Sequence, residues 1–183
     1  LVPFISNEND RFGWSVDISS DGTKLVVGAP ADTVDGTDSG SAYVYSLDTA
    51  GNWNLDQRLT GSDEESFDNF GYSVAIDVSD VVVGTASARK AYIFHKTADS
   101  WIQDAKLVGS DTTINDGFGQ SVSIFGTYAV VGSPLNMGRG AVYLWELDMD
   151  LGSWVQLRKL TASLPSSRMG ACVTIGSRFL LAG

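Results

Sequence analysis

The stretch FGQSVSIFGTYAVVGSP, residues 118–134, decides the fold, because a similar stretch occurs four times in this chain of 183 residues. The other copies begin at Phe12-Gly13, Phe70-Gly71 and Met169-Gly170, so successive starting glycines are 58, 48 and 51 residues apart. A second glycine closes each stretch 15 residues later in the first copy and 13 residues later in the other three. This near-constant spacing in four copies indicates a structural repeat.

Each repeat predicts four short strands. After the starting glycine, Val and Ile alternate with small or polar residues, as in Ser73-Val74-Ala75-Ile76, which is the two-residue period of a strand. A turn and an apolar second strand such as Asp80-Val81-Val82-Val83 follow. An aromatic segment predicts a third strand, and a segment from a Trp to a Leu six residues later predicts a fourth. The aromatic segments are residues 42–45, 91–94 and 141–144, and the Trp-to-Leu segments are residues 53–59, 101–107 and 154–160.

Four strands joined in sequence and repeated along the chain predict an all-β fold, a β-propeller of four-stranded antiparallel blades. Residues 9–63, 64–111 and 112–164 form three full blades, residues 1–8 the end of a preceding blade, and residues 165–183 the start of the next. Propellers need roughly four to eight blades to close a ring. We therefore expect this segment to be part of a larger propeller; the alternative is that several short chains assemble to close a ring.

Two motifs resemble a known family. Phe12-Gly13 with Gly28-Ala29-Pro30 resembles the FG-GAP repeat of integrin α-subunit propellers, and Phe118-Gly119 with Gly132-Ser133-Pro134 is a close variant. Phe70-Gly71 is followed by Gly84-Thr85-Ala86, which keeps only the glycine of the second half. The resemblance covers almost the whole chain. It implies a seven-bladed parent propeller, an extracellular or cell-surface location, and a role in cell adhesion or structural assembly.

Composition narrows the classes of partner. Twelve basic and 22 acidic residues give a net charge of −10, which argues against nucleic acid and against an anionic membrane surface. The same charge favours cations or basic partners. No apolar run approaches the roughly 20 residues of a membrane span, so we expect no direct membrane insertion in this segment.

Long acidic loops provide the candidate binding site. In a four-stranded meander, the loop between the second and third strands and the loop between blades lie at the same end of the blade. Loops on a rigid scaffold are the usual place for binding, so we expect this face to bind a protein or glycan ligand, or neighbouring subunits of a larger assembly. A solvated acidic rim without a ligand is the alternative. The candidate partner-binding residues are Asp32, Asp35, Asp38, Asp63, Glu64, Glu65, Asp68, Asp111 and Asp116.

The hairpins between the first two strands of each blade do not match the calcium-binding loops of integrin-type repeats. Integrin-type repeats hold calcium in an acidic loop between the first two strands of a blade. The corresponding hairpins here, residues 19–22, 78–80 and 125–127, are too short and lack the spaced carboxylates of a calcium site. We therefore expect no metal ion and no other cofactor, with a calcium ion at Asp32, Asp35 and Asp38 as the alternative.

Catalytic chemistry has no support in the sequence. His95 is the only histidine and falls at the position of Ser46 and Trp145 in the other repeats. Cys172, the only cysteine, replaces the serine of the other three repeats and is predicted to be a small interior residue. Without a nucleophile–base set, the leading hypothesis is a non-enzymatic module with no catalytic residue. The alternatives are a carbohydrate-active propeller, either lectin or glycosidase, and a pure scaffold within a larger assembly.

Overall fold

A computed structural model of the protein describes residues 9–33, 38–63 and 65–183. Within these ranges it contains strands and one short 3-10 turn, Asn136–Gly138, but no α-helix. It follows that no helix in the described part of the chain has the length and apolar character needed to cross a membrane. The strands are β1 (Ser15–Ile18), β2 (Lys24–Ala29), β3 (Ser41–Leu47), β4 (Trp53–Leu59), β5 (Phe70–Asp77), β6 (Asp80–Thr85), β7 (Ala91–Lys96), β8 (Trp101–Leu107), β9 (Ser121–Phe125), β10 (Tyr128–Ser133), β11 (Ala141–Asp148), β12 (Ser153–Thr161), β13 (Val173–Ile175) and β14 (Leu180–Ala182).

The strands form three four-stranded sheets, β1-β2-β3-β4, β5-β6-β7-β8 and β9-β10-β11-β12, and one two-stranded sheet, β13-β14. Every pair of neighbouring strands is antiparallel. The prediction of an all-β fold with four-stranded antiparallel blades is therefore confirmed. Each sheet lies inside one of the predicted blade ranges. The partial blade predicted for residues 1–8 lies outside the described residues.

The hydrophobic core lies between successive blades. Val26 and Val44 of the first blade share one buried cluster with Phe70 and Tyr92 of the second. An equivalent cluster joins the second blade to the third around Phe118. Both phenylalanines are almost fully buried, and burial of a side chain of this size contributes about 1.5–3 kcal/mol. Phe70 and Phe118 thus each join two blades, whereas Phe12 packs against Tyr43 and Tyr45 of its own blade.

The two glycines of each repeat are needed because neighbouring blades approach closely. A Cβ atom at Gly84, in β6, would overlap the main-chain carbonyl oxygen of Gly119 in the next blade and the Ser73 hydroxyl. Gly119 adopts a φ of +91°, and its own Cβ would contact the carbonyl oxygens of Thr85 and Lys90. The other two junctions repeat this arrangement. The constant spacing of the two glycines is therefore set by contact between blades.

The first strands of the blades, β1, β5, β9 and β13, pack beside one another. Val74 and Ile76 of β5 face the first blade and are 8% and 4% exposed. Val16 and Ile18 occupy the same positions in β1 and are 62% and 52% exposed, since no earlier blade lies among the described residues. Apolar residues at these positions are thus suited to contact with a preceding blade.

Candidate functional site

The long loops lie at one end of the blades, which we call the loop face. It comprises the connections between the second and third strands and those between successive blades. Backbone hydrogen bonds join the two kinds of loop, from the Phe67 amide to the Asp38 carbonyl (2.9 Å) and from the Ser166 amide to the Gly138 carbonyl (2.6 Å). Arg89 further donates to the Thr112 carbonyl (3.0 Å). Loops of different blades therefore form one connected surface, as the meander topology predicts.

Three of the predicted acidic residues are held in matching clusters of a carboxylate, a tyrosine and a cation. In every cluster the tyrosine lies on the third strand of the blade and pairs directly with the cation on the fourth strand. Hydroxyl and cation both donate to the carboxylate. The clusters are Asp32 with Tyr43 and Arg58, Asp63 with Tyr92 and Lys106, and Asp111 with Tyr143 and Lys159.

The clusters differ in the loop that supplies the carboxylate. Asp63 and Asp111 follow the fourth strand of one blade, whereas Asp32 follows the second strand and is itself buried. In the Asp32 cluster the Tyr43 hydroxyl lies 2.5 Å from the carboxylate and the Arg58 guanidinium 2.9 Å. Asn136, at the repeat position of Asp32, accepts from Lys159 at 2.8 Å. Lys159 therefore donates to both loop positions at once, to Asp111 and to Asn136.

These contacts shift pKa values in opposite directions. Hydrogen bonds from Lys159 and Tyr143 hold the pKa of Asp111 below its ordinary value. Burial alone would raise the pKa of Asp63, but the hydrogen bonds from Lys106 and Tyr92 and the charge of Lys90 outweigh it and lower the pKa. Burial, reinforced by the hydrogen bond to Asp111, raises the pKa of Tyr143. The Asp63 and Asp111 carboxylates are therefore ionised and the Tyr143 hydroxyl is neutral at pH 7.

Two further acidic residues fold the loops themselves. Asp68 accepts from the Glu65 amide (2.9 Å) and from Lys90 (3.3 Å). Asp116 accepts from the Thr113 amide (2.6 Å) and from the Asn136 side chain (3.0 Å). Both lie two residues before the Phe of a Phe-Gly pair and are largely buried. Their contacts shape the loop just before the first strand.

The remaining acidic residues are exposed or undescribed. Asp38 and Glu65 are exposed, and Asp38 accepts from the Thr33 hydroxyl at 2.9 Å. Asp35 and Glu64 lie outside the described residues. Partner binding by the nine residues stays a prediction. Within the described part of the chain, five of the seven carboxylates make contacts that also maintain the fold.

Two positions differ from their sequence interpretation. Gly132 pairs with Val142, as Gly28 pairs with Ala42, so Tyr143 rather than Val142 matches Tyr43 and Tyr92. The alignment of residue 141 with residue 42 was therefore one residue out, and His95 matches Glu146 instead of Trp145. Cys172, predicted to be interior, is exposed because no further blade covers this side of the β13-β14 sheet among the described residues.

Apolar side chains on the loop face are a feature that the sequence interpretation missed. Phe67, Ile114, Met137 and Leu164 are all more than 60% exposed. They lie in the β4–β5, β8–β9, β10–β11 and β12–β13 loops. A signal for them existed, since Asn115 and Ser166 take the place of Phe67 in the following repeats. An apolar residue where the other repeats carry a small polar one indicates a role outside the scaffold.

The described residues contain no group of three or more His, Cys, Asp or Glu side chains arranged to hold a metal ion. The turn carboxylate of Asp21 accepts from Ser19 (2.6 Å) and from the amide and hydroxyl of Thr23, which lowers the pKa of Asp21 to about 2. Asp21 therefore forms part of a side-chain-bonded turn, as its Asp-Gly sequence predicts. His95 contacts Asp80 at 2.9 Å at the opposite end of the blades.

Successive four-stranded sheets, packed through their first strands, define this chain as a β-propeller segment, and solved structures support this class. A TM-score of 0.55 relates it to Saccharomyces cerevisiae Sqt1, with 11% identity over 86% of this chain and 37% of that one. A 6-phosphogluconolactonase candidate from Bacteroides uniformis ATCC 8492 gives a TM-score of 0.58, with 11% identity over 92% of this chain and 46% of that one. The chain thus spans less than half the length of either protein. Similarity at this identity supports the fold alone.

The family follows from the sequence itself. The family model for the FG-GAP repeat matches residues 6–45, 53–94 and 101–145, which together are more than half of the chain. The chain belongs to the FG-GAP repeat family. A search of the curated proteins gives no match. The resemblance inferred from the Phe-Gly and Gly-Ala-Pro motifs is thus confirmed.

Proposed function

We propose that this chain is a non-enzymatic module of an extracellular or cell-surface protein, and that its loop face binds a protein or glycan partner in adhesion or structural assembly. FG-GAP repeats are typical of extracellular proteins, which supports the location. The carboxylate clusters favour a binding role over catalysis, because each carboxylate that they contain is already paired with a cation.

One observation carries the proposal, namely the exposure of large apolar side chains on the loop face. Phe67, Ile114 and Met137 are 69%, 66% and 72% exposed, while the repeated Phe and Tyr residues of the same blades are buried. Large apolar patches rimmed by polar residues mark interaction sites on soluble proteins, and these three side chains would contribute apolar area to such a patch. The repeated scaffold thus carries loops whose side chains vary from blade to blade.

A binding panel tests this proposal. The 183-residue chain is immobilised and exposed to extracellular-matrix proteins, cell-surface extracts and a glycan array. The loop-face variant combines Phe67→Ser, Ile114→Ser and Met137→Ser. The matched control combines Met149→Ser and Leu151→Ser, which are 75% and 71% exposed at the opposite end. Circular dichroism verifies that both variants are folded.

We expect the parent chain and the control to bind a partner and the loop-face variant to lose it. Equal binding by the loop-face variant would exclude this face, and the absence of any partner across the panel would favour the pure scaffold. Chromogenic glycosides are incubated in parallel, and turnover above the buffer rate would contradict the non-enzymatic role.

A further inference from the structure

A groove of about 450 Å³ crosses the loop face between the first two blades. Its walls come from the segment before β1, from the β2–β3 loop and from the β4–β5 loop. Ligand sites in proteins commonly enclose roughly 300–1,000 Å³, so the groove has the size of such a site. Its lining includes the polar and charged residues Asn9, Asp10, Arg11 and Asp38 and the aromatic residue Phe67.

Phe67 is the unusual member of this groove. It is 69% exposed and has a φ of +69°, a left-handed conformation that costs a bulky residue about 1–2 kcal/mol. The conformation does not require a large side chain, because Ser166 adopts a φ of +60° at the same position of the fourth repeat, while Asn115 in the third repeat does not adopt it. A small residue would satisfy the backbone there at least as well. The large exposed ring therefore has no structural purpose that the repeat requires.

The rest of the groove is mostly polar. Arg11 and Asn9, from the segment before β1, are exposed, as is Asp38 from the β2–β3 loop, and the buried Asp10 also lines the groove. Asn, Asp and Arg each present neighbouring polar atoms at the spacing of adjacent hydroxyl groups on a sugar ring. The C–H face of a pyranose packs well against an aromatic ring, which offers a flat apolar surface with a negative face.

A second aromatic surface continues from the groove. The Arg11 guanidinium lies 5.4 Å from the ring centroid of Trp14, which is 49% exposed. The Trp14 ring in turn lies 5.5 Å from that of Tyr72. Trp14 and Tyr72 hold the same position in consecutive repeats, whereas the third and fourth repeats have Gln120 and Ala171 there. The aromatic surface thus belongs to the first two blades alone among the four repeats.

We propose that this groove binds an uncharged glycan, with one sugar ring on Phe67 and its hydroxyls hydrogen-bonded by Arg11 and Asp38. This inference rests on the proposed function and specifies the ligand class of the same face. The groove is lined by one cation, Arg11, and two carboxylates, Asp10 and Asp38, and the chain has a net charge of −10, so both the groove and the whole chain disfavour an acidic glycan. Addition of a peptide strand lacks support, because none of the residues that line the groove belongs to a strand.

Isothermal titration calorimetry of the 183-residue chain tests the inference with maltotriose, cellotriose, chitotriose and mannotriose, and with sialyllactose as the acidic comparison. We expect at least one neutral trisaccharide to bind, and Phe67→Ala to weaken it roughly tenfold or more, the size expected for an aromatic anchor. Phe67→Tyr keeps the ring and is expected to keep the affinity. Met149→Ala, at a comparably exposed apolar site at the opposite end of the blades, is the matched control and is expected to bind as the parent does.

Binding of sialyllactose alone, equal affinity of Phe67→Ala, or no heat from any trisaccharide at 10 mM would each overturn the inference. The protein panel described above separates this failure from that of the proposed function. If the parent chain binds a protein partner, the triple loop-face variant does not, and no trisaccharide binds, the proposed function is supported and the glycan-binding groove is contradicted. If neither a protein nor a glycan binds, both the proposed function and the glycan-binding groove are contradicted.

Discussion

Substitution of Gly84 by alanine tests the reason for the repeat spacing. Gly84 lies in β6, where its φ is ordinary, so alanine meets no backbone strain. Its added Cβ would overlap the Gly119 carbonyl oxygen, which belongs to the main chain of the next blade and cannot rotate away. The same methyl group would displace the Ser73 hydroxyl, which donates to that carbonyl at 2.7 Å. The substitution therefore acts on the junction between two blades.

The expected loss follows from these contacts. Overpacking of a rigid site costs up to about 3 kcal/mol, and loss of the Ser73 hydrogen bond about 1 kcal/mol. Alanine is better than glycine in a strand by about 0.5–1 kcal/mol, which offsets part of the cost. We expect the free energy of unfolding to fall by about 3 kcal/mol, and the melting temperature by about 10 °C for a domain of this size.

Urea unfolding of the 183-residue chain, followed by far-UV circular dichroism and tryptophan fluorescence, measures this loss. Gly22→Ala is the matched control, since Gly22 has a φ of +69° but open space around its Cβ position. We expect the free energy of unfolding of this control to fall by only about 1–2 kcal/mol, which is the cost of a left-handed conformation for a residue other than glycine. A loss for Gly84→Ala no larger than that of the control would refute the contact argument. A coincident shift of both probes is expected if the blades unfold together.

Three further predictions concern charge and backbone strain. Asp111→Asn should lower the free energy of unfolding by less than about 1 kcal/mol at pH 7, because the ion pair with Lys159 is partly exposed. The pKa of Asp111 is lower in the folded chain than in the unfolded one, so the ionised side chain stabilises the fold when the pH is above the ordinary pKa of aspartate. This stabilisation is lost as the pH falls through the folded pKa. The urea midpoints of the parent and of Asp111→Asn should therefore converge at low pH. Asp17→Asn should stabilise the chain at pH 7 but not at pH 3. Burial raises the pKa of Asp17, so its ionised form destabilises the fold once the pH exceeds the ordinary pKa of aspartate. The side-chain oxygen of the new asparagine can still accept the hydrogen bond from the Ile76 amide. Arg168→Gly should raise the melting temperature through relief of a φ of +51°, a gain of up to about 1 kcal/mol, and an unchanged or lower melting temperature would contradict this.

Most of the fold could be predicted from the sequence because the repeat is local. The alternation in residues 73–76 and the Phe-Gly pairs each report on a few neighbouring residues, so the strands and their antiparallel order followed directly. The third blade was aligned one residue out because Ala141 and Val142 are both small enough for the position beside the strand glycine. Only the pairing of Gly132 with Val142 places Tyr143 in line with Tyr43 and Tyr92.

The candidate site could be predicted only in outline. The loops and their described acidic residues lie on the expected face, but no local pattern indicates that Asp63 and Asp111 are bound by lysines from other strands. Those partners lie 43 and 48 residues away in the chain. Nor could the sequence alone bring Arg11 and Phe67 to one groove, because they precede different blades.

By itself, then, the sequence determined the fold class, the number of strands per repeat and the family, since these depend on short patterns of apolar residues and glycines. The tertiary structure alone decided which carboxylates are neutralised within the fold and which side chains are displayed to a partner. The physical reason is that charge pairing and exposure depend on neighbours in space, and in a propeller those neighbours come from other strands and from the next blade.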